Sequence, residues 1–451
     1  MTSARVRIAI VSAAALVFAF ASLAVVETVS AEDAPAVAQT IDLPTALQLA
    51  GARNLEIQIA RERLRLAEAA QHSARARFFP WLAAGAAYNR HSGRIQNVEG
   101  EVIDVDKQSY SGGAGVHLQL DVGATYFSAL SAHQLVRAAA SSIDTERNDT
   151  ILSAANAYLD LLAAAVSLRV REEAERISRT YQDELHRAVG VGVAFRGDEL
   201  RVRVLTEQSR IAVLEAEDQR RVAAARLSDL LHLDASVDLH PRDGDLATLT
   251  LVDADQPLES LVARAVASRP ELQQAAAAVA AAREAKDAAV YGPLIPSIGA
   301  LASVGGIGGS PDGRPDHGGA SQDYAAGINW RIGPGGLLDP APINAARARL
   351  RTEELIEQRQ KDRIVREVVE AQSRVRSLAG QLEASRRLLS DSEEGFRLSR
   401  ERKDFQVGMV LETVQAEEDL VRARENGLRT IVEWNKAQYA LDHAIGGPGP
   451  R

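Results

Sequence analysis

The chain has 451 residues, with 52 lysines and arginines against 61 aspartates and glutamates, a net charge of −9, and no cysteine. That balance excludes the basic footprint of a nucleic-acid binder. The missing cysteine excludes a disulfide framework, a thiolate metal site and a thiol nucleophile.

At the N-terminus, Arg5 and Arg7 precede the apolar run IAIVSAAALVFAFASLAVV, and Val29-Ser30-Ala31 offers a small-residue cleavage point before Glu32. Residues 1–31 therefore read as a signal peptide. Without them the chain keeps 50 basic and 60 acidic residues, a net charge near −10 that suits an exported surface. No later stretch reads as a transmembrane helix, so insertion into a membrane would have to use strands.

Self-comparison organises the rest. LPTALQLAGARNLEIQIARERLRLAEAA from Leu43 aligns with LESLVARAVASRPELQQAAAAVAAAREA from Leu258, and FFPWL from Phe78 with LIPSI from Leu294. LSDLLHL from Leu227 lies over LDHAIGG from Leu441, and Gly192 lies over Gly408 at an offset of 216. The chain reads as a tandem duplication: a first repeat over 32–233, a linker over 234–257 and a second repeat over 258–447. No proline interrupts the sequence between Pro80 and Pro241 or between Pro342 and Pro448, which favours long helices over about 127–233 and 343–445. In the second tract Ile364, Val368, Ala371, Val375, Leu378, Leu382, Ser385, Leu389 and Phe396 fall mostly at steps of four and three, a heptad seam. Some sixty residues in one helix would span on the order of 90 Å, so the expected shape is elongated.

Ahead of each long tract the period changes to two. GVHLQLDVG alternates Val116, Leu118, Leu120 and Val122 against His117, Gln119 and Asp121. DYAAGINWRIG alternates Tyr324, Ala326, Ile328, Trp330 and Ile332 against smaller or polar residues. With partner strands from Pro80 and Pro296, and loops over about 90–109 and 305–323, each repeat gains a hairpin (strands about 80–123 and 296–333). An apolar face backed by a polar one is what a barrel with a watery lumen needs in lipid. Four strands cannot close such a barrel, so other copies of the chain would have to complete it.

The duplicated LPTALQLAGARNLEIQIARERLRLAEAA…FFPWL pattern, and the paired VG segments among alanine-rich helices, resemble the outer-membrane efflux protein (TolC) family over essentially the whole mature chain. The resemblance implies a mostly α fold with β-barrel strands: a duplicated helix, β-hairpin and long helical hairpin forming an elongated trimeric barrel plus an α-helical tunnel. It implies a homotrimer in the Gram-negative outer membrane, in contact with its lipid and extending into the periplasm. There it would serve as the exit duct of a tripartite efflux or type I secretion system, joined through a periplasmic adaptor to an inner-membrane pump of RND or ABC type. It also implies that Val189, Gly190, Val191, Gly192 and Val193, and likewise Val407, Gly408, Met409, Val410 and Leu411, are helix-hairpin tips for adaptor docking. Glycine suits a tight reversal because it accepts positive φ. At the periplasmic entrance the resemblance points to Asp198, with Val414 in the matching place of the second repeat, and to Glu417. Three copies would set Asp198 and Glu417 in acidic rings. The family's gate-latching Tyr and Arg are replaced here by Phe405 and Val410.

Catalytic and cofactor motifs are missing. The nine histidines make no H-x-x-x-H pair. The glycine-rich SVGGIGGSPDGRPDHGG lacks the ending of a phosphate loop, and no G-x-S-x-G elbow occurs. The sequence therefore points to no enzyme, no cofactor, no metal and no nucleic-acid partner. A structural, non-conducting coiled-coil protein of the periplasmic envelope is the alternative to a duct.

Overall fold

A computed structural model describes residues 37–234, 237–242, 246–311, 317–404 and 410–447. The proposed signal segment 1–31 and the tip residues Phe405, Val407, Gly408 and Met409 lie outside the described residues; Val410 and Leu411 enter only as the first turn of a helix. In chain order the elements are β1 (Val37–Ile41), α1 (Leu43–Arg53), α2 (Leu55–Ala76), β2 (Trp81–Gln96), β3 (Val102–Asp121), α3 (Val122–Gly190), α4 (Arg196–Leu230) and β4 (Val237–Pro241). The second half repeats the order with α5 (Leu258–Ser268), α6 (Pro270–Tyr291), β5 (Ser297–Pro311), β6 (His317–Asn329), α7 (Pro340–Asp404) and α8 (Val410–Ala444).

The duplication is visible in the cores. One cluster gathers Ala46, Ala50, Ala154, Leu161, Ala223, Leu227 and Leu231. The other gathers their counterparts 214 or 215 positions later: Leu261, Ala265, Val368, Val375, Ala437, Leu441 and Ile445. A third cluster, Ala155, Leu159, Val432 and Tyr439, packs α3 against α8 and so joins the repeats. The heptad seam of α7 is buried at Ile364, Val368, Val375, Leu378 and Leu382. At 69 and 65 residues, α3 and α7 each span roughly 100 Å.

Two sequence expectations need correction. First, α3 contains a window apolar enough and long enough to cross a membrane, contrary to the reading that no such stretch follows the signal. Its apolar residues have another use: Ala154, Ala155, Tyr158, Leu159, Leu161 and Leu162 are buried in the cores just described. Second, most of the residues expected in hairpin loops are strand. Arg94 and Asp104 sit directly opposite each other across β2 and β3, 3.6 Å apart, and Arg90 reaches Asp106 at 2.8 Å. Opposite charges facing across a ladder support pairing where apolar alternation has ended.

The segment between the repeats is strapped to the helices. β4 pairs with β1. Beyond it, the buried amides of α8 hold irregular backbone: Asn435 Oδ1 accepts from Leu249 N at 2.8 Å, and Gln438 Oε1 accepts from Leu251 N and Val252 N at 3.0 Å. Gln372 Nε2 of α7 donates to the carbonyls of Ala254 and Gln256 at 2.9 and 2.8 Å. Side-chain amides thus take the place of a partner strand, which backbone groups buried among helices require.

The remaining strands form one antiparallel sheet in the order β2-β3-β5-β6, joining the two hairpins through β3 and β5. The register places Leu82, Tyr88, Val116, Leu118, Leu120, Val304, Tyr324 and Ile328 on one face. The other face carries Gly85, Ser109, Ser111, His117, Gln119, Ser303, Ser321 and Asp323. Trp81 belongs to that second face, where its ring stacks on His117 at 4.4 Å. Among the described residues, the outer strands β2 and β6 each leave one edge of backbone groups unpaired.

Between the two repeats lies a buried ion-pair node. Arg269, 4% exposed at the start of α6, donates to both carboxylate oxygens of Glu271 at 2.6 and 2.9 Å, to Glu367 of α7 at 3.1 Å and to the carbonyl of His443 at 3.0 Å. His443 in turn meets Asp149 of α3 at 2.7 Å.

Candidate functional site

The first reversal, between α3 and α4, is fully described. After Gly190 the chain leaves the helix at Val191, and Gly192 takes φ +79°. Gly192 N donates to Val189 O and Val193 N to Ala188 O, both at 3.0 Å. This pair of bonds is the Schellman arrangement, which satisfies the last helical carbonyls and needs a left-handed residue, hence glycine, at the position Gly192 holds. The turn exposes apolar side chains: Val191, Val193 and Phe195 are each about three-quarters exposed. Phe195, adjacent to the predicted tip, is part of this apolar knob although sequence reading passed over it.

Just beyond the turn, Asp198 is half-exposed and lies 3.8 Å from Arg201, a loose surface pair on the first turn of α4. Glu199 accepts from His186 of α3 at 2.8 Å, and this hydrogen bond, ahead of the Arg196 charge, holds its carboxyl below the usual range. A buried bond of 3.0 Å between Ser178 and Thr206 ties α3 to α4 further along. Across the second reversal Arg402 and Glu412 pair at 2.5 Å and close α7 on α8.

Of the second-repeat gate candidates, Phe405 lies outside the described residues, and Val414 and Glu417 both face inward. Val414 packs with Tyr181, Leu185 and Val202 in a core shared by α3, α4 and α8. Glu417, three residues on, is 7% exposed. It lines a cavity of about 240 Å³ between α3, α4 and α8, with no hydrogen bond or ion pair among the described residues. Asp198 and Glu417 are thus an exposed acid and a buried one. The signal for this was the spacing: Val414, Glu417 and Leu420 follow the buried stripe of α8.

Burial first, and the charge of Glu418 second, push the Glu417 carboxyl up to about 7 from 4.5. A folded value above the unfolded one means that the fold holds the proton. The stability given by the neutral acid is complete below the unfolded value, and it falls as pH rises to about 7, above which it changes no further. Protection of the first turns of α8 against hydrogen exchange, taken relative to the intrinsic exchange rate at each pH, should therefore fall between about pH 5 and 7. Glu417→Gln should abolish that pH dependence, and an unchanged pH profile in the variant would contradict it.

One donor set of metal type occurs among the described residues: Asp149, Glu271 and His443 come within 4.8 Å of one another. Their positions, far apart in sequence, hid this from any spacing rule. Its atoms are already engaged, Glu271 by Arg269 and His443 by Asp149, so the cluster is accounted for as the ion-pair node.

The sequence matches the profile described as Outer membrane efflux protein over residues 46–231 and 261–447, that is, over both repeats. It is 24% identical over 330 residues to Protein CyaE of Bordetella pertussis, an alignment covering 73% of this chain and 69% of that protein. Among solved structures, a membrane protein from Pseudomonas aeruginosa superposes with a TM-score of 0.74 at 20% identity, covering 90% of this chain and 93% of that one. The Campylobacter jejuni CmeC outer membrane channel gives 0.73 at 14% identity, with 90% and 86% covered. The outer-membrane channel OprN gives 0.72 at 19% identity, with 90% of each chain covered. With both repeats matched and the fold shared, the chain belongs to the outer membrane efflux protein family.

Proposed function

We propose that three copies of the chain join their sheets edge to edge into a twelve-stranded barrel, and that the assembled duct receives cargo from an inner-membrane pump through a periplasmic adaptor. The observation that carries the reading is the four-stranded sheet itself, with one face apolar near the helical end (Leu82, Val116, Leu118, Leu120 and Ile328) and charged toward the far end (Arg90, Arg94, Asp104 and Asp106), a mostly small and polar opposite face, and two open edges. In hydrocarbon an unpaired edge leaves each backbone group unsatisfied, so the sheet needs partners. Pairing the free edge of β2 with that of β6 in a neighbouring copy removes every edge. The adaptor meets the helical reversals, where Val191, Val193 and Phe195 offer an apolar knob at the first tip. Val407, Gly408, Met409, Val410 and Leu411 supply the second tip in this proposal.

The absence of native cysteine makes the test direct. Cysteines introduced in pairs along β2 and β6, beginning with Ala86→Cys and Gln322→Cys, should cross-link copies into a ladder that ends at three. In the same cells Val193→Asp should stop export and leave the cross-linked trimer intact. A ladder ending at two or running past three would refute the barrel, and undiminished export with Val193→Asp would refute docking at the first tip.

A further inference from the structure

Glu417 is more than nine-tenths buried and has no partner among the described residues, yet it borders open space. An ionised carboxyl in such a place is costly unless a positive charge accompanies it. The other charged groups around the cavity are already engaged. From α3, Arg171 pairs with Glu425 of α8 at 2.5 Å. On α8, Arg422 pairs with Asp419 at 2.8 Å and lies 3.9 Å from Glu418. From α4 the cavity receives Leu205, Gln208, Ser209 and Ala212, none of them charged. Among the described residues that line the cavity, Glu417 has no ion pair, and Glu418 only shares the Arg422 already held by Asp419, so the acids outnumber the cations and a bound cation is favoured.

The walls narrow the chemistry further. Leu205 and Ala212 of α4 and Val414 and Val421 of α8 give apolar surface, and Ser209 and Gln208 give polar contacts beside it. A volume of about 240 Å³ excludes large ligands and admits a molecule the size of a substituted benzene. A strongly hydrated metal ion gains little from such walls, whereas an amine or amidine on a small apolar body uses both parts.

We propose that the cavity between α3, α4 and α8 is a binding site for a small lipophilic organic cation, a protonated amine or amidine, whose charge is met by Glu417. The site lies within one chain, so it is distinct from any ring of carboxylates formed by assembly and does not depend on the trimer. A bound cation spans the two helical hairpins and ties α8 to α3 and α4 just inside the reversals.

Benzamidinium, which stays charged at every pH considered, is the probe, and benzamide is its neutral isostere. Binding to the purified full-length protein in detergent is followed by saturation-transfer NMR and titration calorimetry in physiological salt, which screens exposed acids. Benzamidinium should bind saturably at about pH 8 and about tenfold more weakly at about pH 6, in line with a carboxyl that ionises at about 7. Benzamide should not bind. Glu417→Gln, close in shape and checked for helical content, should weaken binding at least about tenfold and remove its pH dependence. Ala212→Leu keeps the carboxyl and fills the cavity, and should also abolish binding. Absence of saturable binding to the wild-type protein would overturn the proposal. So would equal affinity in either variant or equal affinity for benzamide.

Discussion

Replacing Arg269 with alanine should destabilise the helical body by about 1–3 kcal/mol, the cost of leaving the half-buried Glu271 carboxylate and the His443 carbonyl without their donor, while Glu367 keeps Arg363. The guanidinium is 4% exposed and serves Glu271, Glu367 and the carbonyl of His443, binding the start of α6 to α7 and to the end of α8. Exposed ion pairs elsewhere on the chain carry far less weight, since such pairs contribute about 0–1 kcal/mol. The readout is the denaturant midpoint of the helical circular-dichroism transition. The combination of Arg269→Met, Glu271→Gln and Glu367→Gln should recover much of the loss, because it removes the unmatched charges together with the partner. A loss below about 1 kcal/mol in the single variant would reduce the node to a surface-like pair.

Gly305→Val should prevent assembly in the membrane. Gly305 faces Gly113 where β5 of the second repeat pairs with β3 of the first. A Cβ at 305 would stand 2.5 Å from the Gly112 carbonyl oxygen and 3.0 Å from the Gly113 Cα. Those are backbone atoms, which cannot swing aside as a flexible side chain could. Overpacking of this kind costs about 1–3 kcal/mol, and in the proposed barrel the junction occurs three times. Gly299 lies on the same strand and the same face, with nothing within 4 Å of a Cβ there. Gly299→Val should thus assemble as the wild type does, on gels that preserve the membrane-inserted species. Equal assembly of both variants would contradict the close junction.

Much of this architecture could be read from the residues because the duplication repeats its core. Leu227 and Leu441, like Leu161 and its counterpart Val375, keep their offset because each packs the same way in its own half. The hairpins were legible where apolar and polar residues alternate, and illegible where Arg90, Arg94, Asp104 and Asp106 continue the ladder through charge pairs. The inter-repeat strap was hidden for a different reason. Its backbone partners are side chains of Asn435, Gln438 and Gln372, more than a hundred positions away, and no local pattern announces such a bond.

The candidate site was legible in part. Gly192 was recognisable as a reversal, and the positive φ gives the physical reason. Glu417 was recognisable as an acid near the second reversal, but a carboxylate invites an exposed reading, and only its place on the stripe with Val414 and Leu420 marks it as buried. The apolar knob extends to Phe195, which precedes α4 and falls outside any glycine-centred motif.

If the sheet becomes the wall of a conducting duct, purified protein in a planar lipid bilayer should reveal it directly. Long-lived, uniform conductance steps that vanish with Gly305→Val and persist with Gly299→Val are the predicted result. A folded, membrane-inserted trimer that gives no conductance, with tips free of adaptor, would contradict it and favour a structural role in the envelope.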